Sequence, residues 1–231
     1  MEDFRIESVL VTGSDRGIGL GLVLEFMKLP HPPQLIFATC RNLESPEGKV
    51  RRKQTETEIV PAFTKLGAIL TLFSKNVTDP QSIKAAAEEV QRYLTGRGLA
   101  LLINNAGIAY KTTLASETAQ TMAAVYTTNT LGPMRVSQTF LPLLKRAAPK
   151  FTCLGKSCFK AAIVNVSSSF GSLAAVDEWK WCQDVGYRCS KAALNMLTKC
   201  QSLVYYPFEI VCVSLHPGGV QTGLGAEKGG N

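Results

Sequence analysis

Short apolar runs alternate with stretches of helical periodicity along the chain. A strand that returns to its sheet through a helix lies parallel to the next strand, and helices then cover both faces of the sheet. The alternation therefore predicts an α/β fold with a doubly wound, Rossmann-type parallel sheet. The predicted strands are residues 6–12, 34–39, 69–73, 99–103, 161–166 and 209–215. The predicted helices are residues 17–29, 80–94, 113–147 with a bend at Gly132-Pro133, and 187–204, together with a helix-like stretch at 43–66 that Pro61 interrupts.

Composition suits a single domain. The 231 residues are 45% hydrophobic, enough for a sizeable core. We expect one domain at 1–222, followed by a flexible, glycine-rich tail at 223–231. No apolar run approaches the roughly 18 residues that cross a bilayer, and the charged start is unlike a secretory signal. Seven cysteines without a Cys-x-x-Cys pair, and only two histidines, favour a reduced, cytoplasmic location and argue against a bound metal.

The formal net charge of +7 raises the question of a polyanionic partner. The basic residues are dispersed, apart from residues 49–53, which are typical of a solvated helix face. Arginines placed for a phosphate-bearing cofactor account for part of the excess. We therefore expect neither a nucleic acid nor a membrane as a partner.

A glycine-rich segment, Thr-Gly-Ser-Asp-Arg-Gly-Ile-Gly at 12–19, follows the first predicted strand and opens the first predicted helix. Gly13, Gly17 and Gly19 permit a tight turn and let the backbone approach a pyrophosphate. The helix N-terminus supplies unpaired N–H groups for that anion. An ordinary glycine-rich turn is the alternative, but the position in the first βα unit favours a dinucleotide site.

The end of the second predicted strand indicates which dinucleotide binds. NAD sites usually place an acid there for the ribose 2′-hydroxyl. This chain instead reads Thr-Cys-Arg-Asn at 39–42, with no carboxylate before Glu44. Arg41, together with Arg16 from the glycine-rich segment, offers guanidinium groups that suit a 2′-phosphate. We therefore expect NADP(H) as the cofactor.

Tyr187 and Lys191 are four residues apart on a predicted helix, so both side chains lie on one face. A free tyrosine has a pKa of about 10, and a neighbouring cation favours the phenolate. We expect Lys191 to lower the pKa of Tyr187 and make its hydroxyl a usable proton donor and acceptor. Tyr-x-x-x-Lys is a weak pattern alone, and its place among the other segments gives it weight.

In this order, the segments resemble the short-chain dehydrogenase/reductase family. The matching motifs are T-G-x-x-x-G-I-G at 12–19, N-N-A-G at 104–107, Y-x-x-x-K at 187–191 and P-G-x-V-x-T at 217–222. Residues 28–34, 39–42 and 214–218 are similar to the NADPH-dependent carbonyl reductases of the sniffer type. The resemblance covers nearly the whole chain and implies NADPH-dependent reduction of a small-molecule aldehyde, ketone or quinone.

The resemblance implies four catalytic residues, Asn129, Ser168, Tyr187 and Lys191. Tyr187 would give its proton to the nascent alkoxide, and Lys191 would hold the nicotinamide ribose. Ser168 would hydrogen-bond the substrate carbonyl. Asn129 would stabilise the bent helix and hold a water linked to Lys191; a polar residue that only satisfies the bend is the alternative.

The choice among three consecutive serines is open at this point. Ser167 or Ser169 could act in place of Ser168. Alignment of the segment on Asn165 and Gly171 favours Ser168.

The resemblance also implies the cofactor-binding residues. Asn104 would stabilise the sheet core, and Asn105 to Gly107 would line the adenosine ribose. Asn76 departs from the family, where an aspartate commonly contacts adenine, although an amide oxygen can still accept a hydrogen bond. The full set is Gly13, Ser14, Arg16, Gly17, Ile18, Gly19, Arg41, Asn76, Asn105, Ala106, Gly107, Tyr187, Lys191, Pro217, Gly218, Val220 and Thr222.

Two further departures affect the substrate side. The stretch between Ser168 and Tyr187 is long and carries Trp179 and Trp181, which would either wall an apolar pocket or pack on the surface. After Thr222 the chain lacks the substrate lid and the seventh strand that family members normally have. We therefore expect an open sheet edge and keep a non-catalytic NADP-binding or scaffold protein as the alternative function.

A homodimer is a further hypothesis. The helices predicted at 113–147 and 187–204 resemble the faces that pair in dimers of the family. The residues themselves offer no independent sign of the oligomeric state.

Overall fold

A computed structural model describes residues 5–40, 69–74, 76–148, 161–174, 176, 179–180 and 182–220. Its strands are β1 (Ser8–Thr12), β2 (Leu35–Cys40), β3 (Ile69–Ser74), β4 (Leu101–Asn104), β5 (Ala162–Val166) and β6 (Val211–Leu215). Its α-helices are α1 (Gly17–Lys28), α2 (Pro80–Leu94), α3 (Ala119–Tyr126), α4 (Gly132–Ala147) and α5 (Val185–Val204). Short 3₁₀ turns cover Ser169–Gly171 and Tyr206–Phe208.

The six strands form one parallel sheet in the order β3-β2-β1-β4-β5-β6. The chain runs outward from β1 to β3 and then crosses back to β4, so the direction of winding reverses between β1 and β4. This confirms the predicted doubly wound fold. The helix-like stretch predicted at 43–66 lies outside the described residues. No helix in the described part of the chain is long and apolar enough to cross a membrane.

Apolar side chains cover both faces of the sheet, because successive strand residues point to opposite sides. On one face, Leu10, Phe37 and Leu102 pack against Phe140 of α4 and neighbouring residues of α2. On the other face, the alternate strand residues pack with α1. These two apolar layers fix the sheet relative to the helices, and they thereby fix the position of the carboxyl edge of the sheet.

The long helix predicted at 113–147 is interrupted. Its first six residues form a turn instead, because the Thr118 side chain accepts a hydrogen bond from the Thr121 N–H and caps α3 there. A π-helical turn at Thr127–Leu131 then joins α3 to α4. Pro133 has no N–H to donate to a preceding carbonyl, so the regular hydrogen-bond pattern is interrupted beside the predicted Gly132-Pro133 position. The other predicted boundaries lie within two residues of those observed.

A buried amide network joins the middle of the sheet to the helices. Asn104 donates to the Asn165 side-chain oxygen over 2.8 Å and to the Ser137 hydroxyl over 3.2 Å. Asn165 in turn donates to the Thr198 hydroxyl over 2.8 Å and to the Gln201 amide oxygen over 2.9 Å. These bonds tie β4 and β5 to α4 and α5, while the buried Asn104 side-chain oxygen has no hydrogen-bond partner among the described residues. Asn104 thus lies in the sheet core, where the family resemblance places it.

β6 forms one edge of the sheet. Within the described residues it pairs with β5 alone, and Val213 and Leu215 are 42% and 47% exposed. An edge strand presents unpaired backbone groups to its surroundings. The expected open edge beyond the sixth strand is present in this part of the molecule.

Glu117 joins two loops to the beginning of α5. Its carboxylate accepts hydrogen bonds from the Thr112 hydroxyl over 2.6 Å and the Gly186 N–H over 2.8 Å. It also accepts from the Thr121 hydroxyl and the Thr118 N–H. These bonds, led by the one from Thr112, lower the pKa of Glu117 to about 2. The carboxylate thus anchors the helix that carries Tyr187.

We expect Glu117→Gln to lower the free energy of unfolding at pH 7, because an amide nitrogen would replace one oxygen acceptor among these donors. A carboxyl with a lowered pKa stabilises the fold above its ordinary value of 4.5 and loses that contribution as the pH falls towards about 2. The difference between the two proteins should therefore shrink over that range. Denaturant unfolding between pH 7 and pH 3 would measure it.

Glu25→Gln is the matched control. Glu25 pairs with Lys28 at 2.7 Å on the surface, where both side chains are 69% exposed. Such a pair contributes only ~0–1 kcal/mol, so the control should change little. Equal unfolding midpoints for Glu117→Gln and the unsubstituted protein at pH 7 would contradict the anchoring role.

Candidate active site

One cleft lies at the carboxyl edge of the sheet and encloses about 260 Å³. The loops that follow β1, β4, β5 and β6 line it, because the ends of parallel strands meet at the same edge. It brings together most of the residues expected from the sequence: Gly13, Arg16, Gly17, Ile18, Asn105, Ala106, Gly107, Ser168, Tyr187, Lys191, Pro217, Gly218 and Val220.

The remaining expected residues lie elsewhere. Ser14, Gly19, Asn76 and Asn129 are not part of the cleft lining. Ser14 donates through its N–H and its hydroxyl to the Thr39 carbonyl and so fixes the first loop to β2. Arg41, Trp181 and Thr222 lie outside the described residues.

The glycine-rich loop has the shape that a phosphate requires. Gly13 and Gly17 have φ angles of 64° and 53°, in the left-handed region that favours glycine. A Cβ on Gly13 would lie 2.8 Å from the Cα of Ala106, so the two loops touch without room for a side chain. No side chain caps α1, which leaves its first N–H groups available to an anion. These features fit the pyrophosphate of a dinucleotide.

Asn105 joins the loop after β4 to the glycine-rich loop through hydrogen bonds. Its side-chain amide donates to the carbonyls of Thr12 and Gly13, each over 2.9 Å. The Thr12 hydroxyl accepts from the N–H groups of Asn105 and Ala106 over 3.0 and 3.1 Å. These four hydrogen bonds therefore hold the glycine-rich loop against the loop after β4.

Of two further polar side chains expected to bind the cofactor, Arg16 lines the cleft and Asn76 does not. The Arg16 guanidinium is exposed at the rim of the cleft, with no partner among the described residues. The Asn76 side-chain oxygen accepts from the N–H and the hydroxyl of Thr78 over 3.0 and 2.9 Å. That oxygen thus holds the turn before α2 and already has two donors.

The three serines after β5 differ in their surroundings. Ser167 is 5% exposed and donates to the Asn195 side-chain oxygen over 2.7 Å. Ser169 is exposed and does not line the cleft. The Ser168 hydroxyl lines the cleft, accepts from the Phe170 N–H over 3.2 Å and lies near enough to the Tyr187 phenol to oppose the rise of its pKa. Of the three, Ser168 has the position expected of a group that binds a substrate carbonyl.

Tyr187 and Lys191 lie in the first two turns of α5. Lys191 is 4% exposed, and its ammonium donates to the Val166 carbonyl over 2.7 Å and lies 5.5 Å from the centre of the Tyr187 ring. Burial lowers the pKa of Lys191 to about 8. The two groups are neighbours, as the four-residue spacing predicts.

The expected direction of the Tyr187 pKa is wrong. Burial raises that pKa, and the negative charge of Asp184 adds to the effect, while the Ser168 hydrogen bond opposes it. Burial is the largest cause, because a dry environment disfavours the charged form of the phenol. In this structure the phenol is therefore held in its protonated form.

The Asn129 side chain does not line the cleft and makes three hydrogen bonds to neighbouring segments. Its side-chain oxygen accepts from the Ile108 N–H over 2.9 Å, and its amide donates to the Ile108 carbonyl over 2.9 Å and the Ser190 hydroxyl over 3.1 Å. The π-helical turn is thus bonded to the loop after β4 and to α5. This agrees with a stabilising role at the bend, and the role in holding a water stays a prediction.

Arg188 is a component that sequence reasoning missed. It is 8% exposed and donates to the carbonyls of Gln183 and Cys182 over 2.8 and 2.9 Å. Its guanidinium lies 4.0 Å from the centre of the Phe170 ring and 5.7 Å from that of Trp179. Arg188 therefore joins the loop before α5 to the serine turn. In the sequence, a single arginine next to Tyr187 did not indicate this contact.

The described residues contain no group of His, Cys, Asp and Glu side chains that could hold a metal ion. The cleft contains the Ser168 hydroxyl, the Tyr187 phenol and the Lys191 ammonium beside an anion-binding loop, and Asp15 and His216 also line it. These groups can orient a carbonyl and move a proton.

Comparison with known proteins agrees with this geometry. Residues 7–230 match the family model of the short chain dehydrogenases. The NADPH-bound carbonyl reductase from chicken fatty liver is 49% identical, with a TM-score of 0.87 over 96% of this chain and 82% of that chain. The carbonyl reductase Sniffer of Drosophila melanogaster is 34% identical, with a TM-score of 0.84 over 96% and 84% of the two chains.

A curated relative extends the comparison to a longer protein. Estradiol 17-beta-dehydrogenase 2 of Mus musculus is 27% identical over 222 residues, which are 94% of this chain and 49% of the mouse protein. The chain thus spans about half the length of that relative. The family match covers nearly the whole chain and includes the glycine-rich loop and the Tyr187–Lys191 pair. The chain belongs to the short-chain dehydrogenase/reductase family of oxidoreductases.

Proposed function

We propose that the chain is an NADP(H)-dependent oxidoreductase that reduces the carbonyl of an aldehyde, a ketone or a quinone to an alcohol. The observation that carries the proposal is the convergence of Ser168, Tyr187 and Lys191 in the cleft onto which the glycine-rich loop opens. The 49% identity to a carbonyl reductase described as NADPH-bound supports both the cofactor and the class of reaction.

The proposed cofactor would lie along the whole cleft and supply hydride when bound. The N–H groups at the start of α1 would bind its pyrophosphate, and Asn105 to Gly107 would face the adenosine ribose. Arg16, with Arg41, would bind the 2′-phosphate. Pro217, Gly218 and Val220 would hold the nicotinamide end.

The residues at the other end of the cleft would handle the proton. Ser168 would donate a hydrogen bond to the substrate carbonyl and orient it. Tyr187 would then give its proton to the carbonyl oxygen as the alcohol forms. Its raised pKa keeps the phenol protonated near neutral pH, which is the state that reduction requires. Lys191, as a cation, would stabilise the phenolate that remains and hold the nicotinamide ribose.

We expect Tyr187→Phe to lower kcat by ~10²–10⁴-fold, because general acid catalysis contributes about that factor. NADPH binding should change little, since the phenyl ring has nearly the same volume and still fills the site. NADPH oxidation with an aromatic aldehyde and a quinone, and NADPH fluorescence on binding, would measure the two quantities. Tyr126→Phe, at a tyrosine that is 41% exposed on α3, is the control and should be unchanged.

The same experiment distinguishes the proposed reductase from the alternative function. A protein that binds NADPH tightly but oxidises it with no carbonyl substrate would be the non-catalytic NADP-binding or scaffold protein. In that case Tyr187→Phe would change nothing measurable.

Arg16→Ala should raise the KM for NADPH about tenfold and leave the KM for NADH nearly unchanged. A hydrogen bond to a charged group contributes ~1.5–3 kcal/mol, and only NADPH carries the 2′-phosphate. Steady-state kinetics with both cofactors would measure the change. Arg92→Ala removes an exposed arginine that pairs with Glu89 on α2, and it should alter neither value. An equal loss for both cofactors would assign Arg16 to the pyrophosphate instead.

The homodimer also stays a prediction. Met196, Leu203 and Val204 of α5 are 65%, 63% and 64% exposed, which suits a helix face that meets a partner. Sedimentation at several protein concentrations tests the prediction, and a monomer throughout the range would refute it.

A further inference from the structure

A third polar side chain continues the stripe of Tyr187 and Lys191 along α5. Asn195 follows Lys191 by four residues, so the three side chains lie one above another on the same face of the helix. This face meets the chain that leaves β5, where the Lys191 ammonium binds the Val166 carbonyl. Asn195 binds the same segment a few residues further on.

Asn195 holds the serine turn at both of its ends. Its side-chain oxygen accepts from the Ser167 hydroxyl over 2.7 Å, and its amide donates to the Gly171 carbonyl over 3.2 Å. Ser168 lies between these two anchor points. At Gly171, a Cβ would lie 2.7 Å from the Lys191 carbonyl carbon and 2.9 Å from the Asn195 amide nitrogen. The turn therefore packs directly against α5 at Gly171, with no room for an added side chain.

The same side-chain oxygen reaches a third segment. It accepts from the Ser214 hydroxyl on β6 over 2.5 Å. β6 is an edge strand in the described part of the sheet, and it leads directly to Pro217 and Gly218 in the cleft. One amide therefore connects the serine turn with the strand that supplies the nicotinamide end of the site.

Asn195 does not itself line the cleft. Any effect on the reaction must therefore act through the residues that it holds. A misplacement of about 1 Å at a reacting group can cost on the order of 100-fold in rate. The Ser168 hydroxyl is subject to this cost, because the turn at 167–171 places it relative to α5, which carries Tyr187.

We infer that Asn195 is a positioning residue: it fixes the Ser168 turn and the end of β6 against the helix that carries Tyr187. The inference deepens the proposed carbonyl reduction and rests on it for its effect on catalysis. Its effect on the turn does not depend on any activity.

The first test measures the turn itself in the cofactor-free protein. Hydrogen exchange is followed at the amides of Gly171 and Ser172, which bond to the Ser168 and Ser169 carbonyls over 3.0 and 2.9 Å. Asn195→Ala should speed their exchange at least about tenfold. Gln201→Ala removes an amide from the same helix on the side of the Asn165 network, so it should leave these two amides within about twofold.

The second test is a double-mutant cycle with Ser168. Asn195→Ala should lower kcat ~10-fold or more, with the KM for NADPH nearly unchanged. In a Ser168→Ala background the same change should cost clearly less, because the hydroxyl that the turn positions is gone and only the contact with Ser214 on β6 remains to be lost. Asn195→Asp keeps the oxygen that accepts from Ser167 and Ser214, so it should recover much of the rate if Asn195→Ala proves poorly folded.

The outcomes separate the two proposals. Faster exchange at the turn in a protein without reductase activity would retain the positioning role and overturn the proposed reaction. Equal exchange in Asn195→Ala and Gln201→Ala would overturn the positioning role even in an active enzyme. Full additivity of Asn195→Ala and Ser168→Ala would also overturn it, since the two residues would then act independently.

Discussion

The parallel direction of all six strands is the constraint on which the site depends. Because every strand ends at the same edge of the sheet, loops from distant parts of the chain meet there. The loop after β1 offers glycines and helix N–H groups, and the loops after β5 and β6 bring hydroxyl and backbone groups. α5 then places a phenol and an ammonium across from them. No single segment contains the site, and each contributes one kind of chemistry.

Burial governs the acid–base behaviour of the site. Lys191 lies in the interior with a backbone carbonyl as its partner, and its pKa falls towards neutrality. Tyr187 keeps its proton for the same physical reason, since a dry environment disfavours its anion. Burial thus favours the neutral form of both groups, and in the proposed reduction it would keep the phenol protonated until the carbonyl oxygen accepts its proton.

The local sequence predicted the fold and the position of the main site residues well. Apolar periodicity located the strands and helices, and the spacing of Tyr187 and Lys191 placed both on one helix face. The sequence could not reveal Asn195, because its partners are 19 to 28 residues away and become neighbours only in the folded chain. It could not reveal the contact of Glu117 with Gly186 for the same reason. Arg188 bonds to carbonyls five and six residues away, but a backbone acceptor leaves no pattern of side chains in the sequence. The direction of the Tyr187 pKa was wrong for a related reason. A charge four residues away is visible in the sequence, whereas the depth of burial is set by packing.

The contact between Gly13 and Ala106 has a consequence for engineering the cleft. The backbones meet with no room for an added carbon, and Asn105 crosslinks the same two loops across 92 positions of sequence. Neither loop can be redesigned alone, because a bulkier residue in one displaces the other. A redesign of the anion-binding loop itself would thus require both loops to be exchanged as one unit, transplanted together from a single donor protein.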